Sequence, residues 1–345
     1  MSINNDKCEC FACNIPSLET IKISNHNSSF DKESFFVLNC LKDKLDFKQN
    51  GEENVEFHIK KNAIIEKPLQ IINFLDGKKP QQKSKIKLIM GENSSLTVFF
   101  CDDSDIKSED IVEHEIEIQM NNYSKLAFYK MENVNNHTTI SSKITYNLAQ
   151  NSQLNGFFIT LNGGKLSNNI CVNFNDTHSI ADLNGLYLMD KEQSVFTSVD
   201  VFHYKNDCKS MQLFKGILDD EAKADFLGHI FIDYNARNNE AHQTNNNILL
   251  TDKAKINTHP ILEIYNDDVQ CSHGATTGRL DEQALYYLRT RGIGEKTAKM
   301  LLMKAFCQNI LQKSDIKELQ EGLSKMIESR LDGNLSYNNP FKIDI

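Results

Sequence analysis

Apolar residues along this chain recur at every second position in short bursts rather than at every third or fourth. Val55-Glu56-Phe57-His58-Ile59 shows the alternation in its plainest form, and a period of two is the mark of a strand with one buried face. Similar runs follow at Leu69 to Phe74, Ile86 to Met90, Leu96 to Cys101, His114 to Met120, Leu126 to Tyr129, Ile144 to Leu148, Phe157 to Leu161 and Ile170 to Phe174. They continue at Leu186 to Met189, Val199 to Tyr204, Ile230 to Tyr234 and Ile261 to Tyr265. Asn, Ser, Asp and Gly separate them, and no helical pattern of useful length intervenes.

A loose repeat accompanies the strands. Asn93-Ser94-Ser95-Leu96, Tyr123-Ser124-Lys125-Leu126, Asn151-Ser152-Gln153-Leu154 and His178-Ser179-Ile180-Ala181 each precede an apolar run, at intervals of about 27 to 30 residues. A repeat of that length predicts stacked coils, each burying its inner face against its neighbours. A β-sandwich would account for the number of strands but does not require the recurring element. The expected fold is therefore mainly β, a right-handed parallel β-helix.

After Gly278 the period becomes helical. Asp281 is placed to cap a helix running to Arg291, with Glu282 in its first turn and Gly292 able to end it in the left-handed region. Leu285 and Leu288 share one face of that helix, with Tyr286 beside it. A second helix sets Ala298, Leu301, Leu302, Ala305, Phe306 and Ile310 on one stripe. Ser314 or Asp315 caps a third, whose Ile316, Leu319, Leu323, Met326 and Ile327 face inward. The expected organisation is a short N-terminal region over 1–55, a β-helix core over 56–278, a small C-terminal helical domain over 279–332 and a tail over 333–345.

Composition narrows the function classes. The chain has 345 residues and a formal net charge of −9, so no global field favours nucleic acid or an anionic membrane. No apolar run approaches the roughly 20 residues of a membrane span, and Met1 to Cys13 lack the basic start and apolar block of a secretory signal. The nine cysteines are odd in number and mostly scattered, which suits reduced thiols and a cytoplasmic location better than a disulfide framework.

The candidate chemistry lies between His259 and Gly294. Pro260 pushes His259 towards extended backbone, Ile261 to Ile264 reads as a strand, Asn266-Asp267-Asp268 as a turn, and Val269 to His273 as strand again. Cys271 and His273 then point to one face. A thiolate beside a cationic imidazole is stabilised, and both groups ligate iron, zinc or copper. Two ligands leave a metal site incomplete, so further groups of this chain or of a partner are needed. Three other places carry weaker signals. Cys8, Cys10 and Cys13 form a terminal Cys-x-Cys-x-x-Cys that could hold a metal but has no fourth ligand nearby. His203 and Cys208 are five apart, a spacing that fits a loop pair. His229 and His242 read as surface or core histidines.

The run Leu262-Glu263-Ile264, Asp267-Asp268-Val269, Cys271-Ser272-His273-Gly274-Ala275-Thr276, Gly278-Arg279-Leu280-Asp281 and Tyr287-Leu288-Arg289-Thr290-Arg291-Gly292-Ile293 resembles the C-terminal core of the SufD family of iron–sulfur cluster assembly subunits. Lys215-Gly216-Ile217, Asp225 to Gly228 and Gln243 to Leu250 look similar too. Ser272-His273-Gly274 resembles SufD rather than its paralogue SufB, which carries Glu-His-Glu there. The resemblance implies a β-helix and a non-catalytic scaffold subunit, paired with SufB and bound to the ATPase SufC. It implies that Cys271 and His273 ligate iron, sulfide or a nascent cluster transiently at the SufB interface. It also implies that the helices carrying Leu285, Leu288, Arg291, Leu302 and Phe306 dock SufC, the source of any ATP dependence. This chain contains no Gly-x-x-x-x-Gly-Lys-Ser/Thr loop of its own. Whether it self-associates without SufB stays open.

Two other readings stand beside this one. Arg291-Gly292-Ile293-Gly294-Glu295-Lys296-Thr297-Ala298, within 285–302, resembles a helix–hairpin–helix, in which backbone amides at a helix start meet nucleic-acid phosphate. A turn between two helices needs the same glycines, and the acidic balance opposes strong binding. A β-helix polysaccharide enzyme would need clustered carboxylates, and no such pair stands out.

Overall fold

A computed structural model describes residues 21–26, 29–30, 38, 41–51, 53–105, 108–314 and 316–332. Among them, 19 strands form a parallel solenoid with two faces. Odd-numbered strands from β5 (Leu69–Leu75) to β19 (Val269–Gly278) stack in one sheet, here sheet A. Even-numbered strands from β4 (Asn54–Ile59) to β18 (Lys255–Ile264) stack in the other, sheet B. Each strand pairs in parallel with the strand two further along the chain. At the N-terminal end β1 (Ile21–His26) joins sheet A beside β5 and carries β2 (Ser29–Phe30), while β3 (Leu45–Asn50) lies antiparallel to β4.

The alternation explains the coils residue by residue. In β6 (Gln81–Met90), Ile86, Leu88 and Met90 turn into the core. Lys83 and Lys85 turn out and meet Glu113 and Glu115 of β8 (Ile111–Met120) at 2.8 and 3.2 Å, in register. The strands are mostly ten residues long, nearly twice the length of the apolar runs, because each continues through inward polar positions. β15 (Lys209–Leu218) and β17 (Asn239–Leu249) depart from simple hydrophobic alternation, since they bury Ser210, Gln212, Gln243, Asn245 and Asn247 beside Phe214, Ile217, Leu218 and Ala241.

The recurring serine element is a corner. Asn93, Tyr123, Asn151 and His178 have φ of 57°, 59°, 56° and 63°, the left-handed region where Asn is among the tolerated residues. Each donates its backbone N–H to the next coil. The serine that follows is buried, and its hydroxyl donates to a backbone carbonyl at 2.6–2.7 Å. The column runs on through Asp207 and Asn238, also at positive φ, where Cys208 and Asn239 replace the serine. Cys208 is thus a corner residue, bonded to the carbonyls of Asp176 and Asn206. His203 faces Ser210 and Asn239 instead, and burial holds its imidazole down at about 4.

Inside the coils a polar layer separates two apolar clusters. Asp102, His114, Lys130 and Glu132 are all buried. Asp102 accepts from His114 at 2.9 Å and from Asn73 at 3.1 Å, while Lys130 lies between Asp102 and Glu132. Burial alone would raise the Asp102 carboxyl. The charges of His114 and Lys130, with the hydrogen bonds from His114 and Asn73, bring it down to about 2.

Asp110 is the converse case. It is buried, neither carboxylate oxygen has a hydrogen-bond partner of good geometry, and burial raises its pKa despite nearby Ser108, Gly77 and Gln82. A raised carboxyl contributes stability below the unfolded pKa that is lost as pH climbs through the folded one. Asp110→Asn should therefore stabilise the fold at pH 7. Urea unfolding at pH 7 and pH 4 checks it; the gain should shrink at pH 4.

Three helices follow the last coil: α1 (Glu282–Thr290), α2 (Glu295–Leu311) and α3 (Lys317–Leu331). Asp281 caps α1 through the amides of Gln283 and Ala284, and Gly292 has φ of 85°. The buried residues of α2 are Ala298, Met303, Cys307, Ile310 and Leu311. The expected stripe is thus rotated: Leu301 and Ala305 are exposed and Leu302 and Phe306 half-buried, because the seam follows the covered sheet rather than the most apolar side of the helix. At the start of α3, Ser314 Oγ accepts the Ile316 amide, the expected cap Asp315 lies outside the described residues, and Leu319, Leu323, Met326 and Ile327 are buried as expected.

α2 and α3 fold back onto the outer face of sheet A. They share one core with Phe99, Tyr129, Phe157, Ile159, Leu186 and Leu188. Such strands are apolar on both faces, the composition expected of a strand covered on both sides. Tyr129 meets Ser314 at 2.9 Å, and Lys215 donates to the Phe306 carbonyl at 2.8 Å with its ammonium over the Phe306 ring.

Candidate functional site at the open end of the solenoid

Because the helices cover the flank of sheet A, the last coil stays bare. Among the described residues, β18 pairs only with β16 (Lys223–Ile232), and β19 only with β17. The outer edge of each strand therefore carries backbone N–H and C=O groups with no ladder partner, the usual template for strand addition. Pro260 sits on this edge, where a missing donor is tolerated. No residue of β18 or β19 is buried. Ile261, Ile264 and Tyr265 are all more than a third exposed. An aromatic ladder of Phe202, Phe231 and Tyr265 runs up the outside of sheet B to this rim, with ring centroids 5.9 and 5.7 Å apart.

Cys271 and His273 both lie on β19, in register with Ala241 and Gln243 of the coil beneath. Ala241 and Gln243 are buried, so the face that carries Cys271 and His273 is the one that lines the solenoid interior. Ser272 between them faces outward and meets His242 at 2.7 Å. Cys271 is half-buried against Ala241 and its apolar neighbours Ile230 and Ile232; His273 is exposed.

The electrostatics differ from the expectation of a stabilised thiolate. Burial raises the Cys271 pKa, with the Ala241 backbone hydrogen bond opposing it. The thiol is held protonated by its apolar floor. Ionisation therefore awaits a positive charge supplied at the rim. Among the described residues no group of three or more His, Cys, Asp or Glu side chains is arranged to hold a metal ion. Cys271 and His273 thus stand as two neighbouring donor groups on one strand face.

The remaining candidates fall elsewhere. Cys8, Cys10 and Cys13 lie outside the described residues. Cys171, Cys208, Cys271 and Cys307 are free thiols, but Cys101 is disulfide-bonded, so reduced cysteine does not hold throughout; spacing along the chain does not report which cysteines the coils bring together. Leu285 and Leu288 are half-buried on α1, a helix with no buried residue, and Arg291 is exposed over the Tyr287 ring. Leu302 and Phe306 line a groove with Thr276 to Asp281, and Phe306 also packs towards sheet A. In the glycine turn, Glu295 opens α2 and pairs with Arg289 and Lys299, while Lys296 and Lys304 pair with Asp332 and Glu328. The basic groups there are already engaged, and an acid stands where a phosphate would bind.

Sequence patterning missed Gln212 and Gln243, which lie behind His273 in the strand ladder. Inward polar positions in a strand one coil from a candidate ligand are the signal that would have found them.

Comparison with known proteins follows this geometry. Residues 73–306 match the family described as "SUF system FeS cluster assembly, SufBD core domain". The chain is 34% identical over 186 residues to the iron-sulfur cluster assembly protein SufD of Escherichia coli (strain K12), covering 54% of this chain and 44% of that protein. It is 33% identical over 192 residues to an iron-sulfur cluster assembly SufBD family protein of Mycobacterium leprae, covering 53% and 49%. Over a longer stretch of 276 residues it is 23% identical to SufD of Bacillus subtilis (strain 168), covering 79% and 63%. The chain thus spans about half the length of the first two relatives. Among the described residues no helix is long and apolar enough to cross a membrane.

Proposed function

Since the chain belongs to the SufBD family of iron–sulfur cluster assembly proteins, we propose that it is a non-catalytic scaffold whose bare last coil pairs with a SufB-type partner. Cys271 and His273 then ligate iron, sulfide or a nascent cluster that neither subunit could hold alone. The observation that carries this reading is their position: a thiol and an imidazole share one inward face of a strand whose other edge is unpaired. A partner adding a strand to β18 or β19 would supply the missing ligands and remove Cys271 from water. Thiolate ligation releases a proton, so partner groups or metal charge must offset the raised Cys271 pKa. Co-expression with SufB and SufC followed by co-purification tests the assembly; recovery of this chain alone, at all salt concentrations, would end the heterodimer reading.

ATP enters only through SufC in this scheme, and the exposed side of α1 is the surface offered to it. Leu288→Asp is expected to cut SufC recovery at least tenfold, the equivalent of about 1.4 kcal/mol, with little change in unfolding. Phe306→Asp should instead unseat α2 from sheet A and lower stability. Undiminished SufC recovery with folded Leu288→Asp would place the docking surface elsewhere.

A further inference from the structure

Two glutamines behind His273 are hard to explain as packing. Gln212 and Gln243 are 3% and 1% exposed, and both side-chain amide atoms of each lack a hydrogen-bond partner. They are in register with one another, and Gln243 is in register with His273 one coil outward. An unpaired buried amide group costs on the order of 1–3 kcal/mol. The same column accepts an apolar side chain, since Leu183 occupies it one coil deeper, fully buried. Across the interior, Gly228 leaves room for the Gln243 carboxamide: a Cβ there would lie 2.0 Å from Nε2 and 2.6 Å from Oε1. The fold thus makes space for a polar group whose bonds it does not complete.

We infer that Gln243 is a positioning residue for His273. Its carboxamide oxygen accepts the inner ring N–H through one bridging water, and so leaves the other ring nitrogen bare towards the rim. Ligating histidines characteristically donate their second N–H in this way, which sets tautomer and ring orientation. The inference rests on the ligand role proposed for His273, but its test does not need the partner.

The test is histidine NMR on the full chain, following the two His273 ring nitrogens and their tautomer populations. Gln243→Leu should redistribute the His273 tautomers through loss of the acceptor. Gln243→Glu, which keeps an acceptor at the same place, should preserve the wild-type tautomer, a rescue that a packing defect would not produce. Gln243→Met serves in place of Leu if that variant does not fold. Unchanged His273 signals in folded Gln243→Leu or Gln243→Met would overturn the inference and leave the ligand reading standing. Normal cluster assembly by His273→Ala would end the ligand reading while leaving the tautomer coupling intact.

Discussion

Arg330→Ala is expected to lower the unfolding free energy by about 3–5 kcal/mol, the largest stability loss of any single substitution considered. Arg330 is 6% exposed near the end of α3. It meets both oxygens of Asp190, at 2.8 and 3.0 Å, and donates to the carbonyls of Leu161 and Leu188 and to Gln193. Asp190 is 4% exposed. Truncation would leave that carboxylate and two strand carbonyls buried without their donor, and an uncompensated buried charge is what makes such pairs costly to break. Arg330→Met combined with Asp190→Asn should recover part of the loss, because both charges go together. Urea unfolding of the three proteins decides it. A loss below about 1 kcal/mol for Arg330→Ala would mean that the pair is hydrated and holds little.

Cys271→Ala and His273→Ala should each abolish cluster assembly in cells while leaving the solenoid as stable as before. Both residues lie on a strand with no buried residue, where substitutions typically change stability by no more than about 0.5 kcal/mol. The loss of function should be near complete. Removing one of two ligands from a half-site leaves a single donor on this side, too few to retain iron during transfer. Complementation of a strain lacking the native subunit, with unfolding measured in parallel, is the check. Normal assembly by both variants would end the interface-ligand reading.

The two predictions differ in how visible their residues were beforehand. Cys271-Ser272-His273 was legible because strand geometry fixes which neighbours share a face, and the structure places them so. Arg330 gave no signal: its partner Asp190 is 140 residues away. Sheet A is covered where its strands are apolar on both faces, at Phe99-Phe100-Cys101 and Leu186 to Met189. Which stripe of α2 would cover it was misread, since Met303 and Cys307 replaced Leu301 and Ala305 at the seam.

What the sequence determined alone is what local physics decides. Alternation sets strand faces, left-handed residues followed by serine turn the corners, and Asp281 starts α1, because each depends on groups a few residues apart. The tertiary structure decided the rest. It laid the helices along sheet A and so left the last coil open. It also put Gln212 and Gln243 behind His273 with their amides unpaired. Those outcomes depend on which surfaces meet across coils and on how much apolar area each contact removes from water, quantities that no short stretch of chain contains.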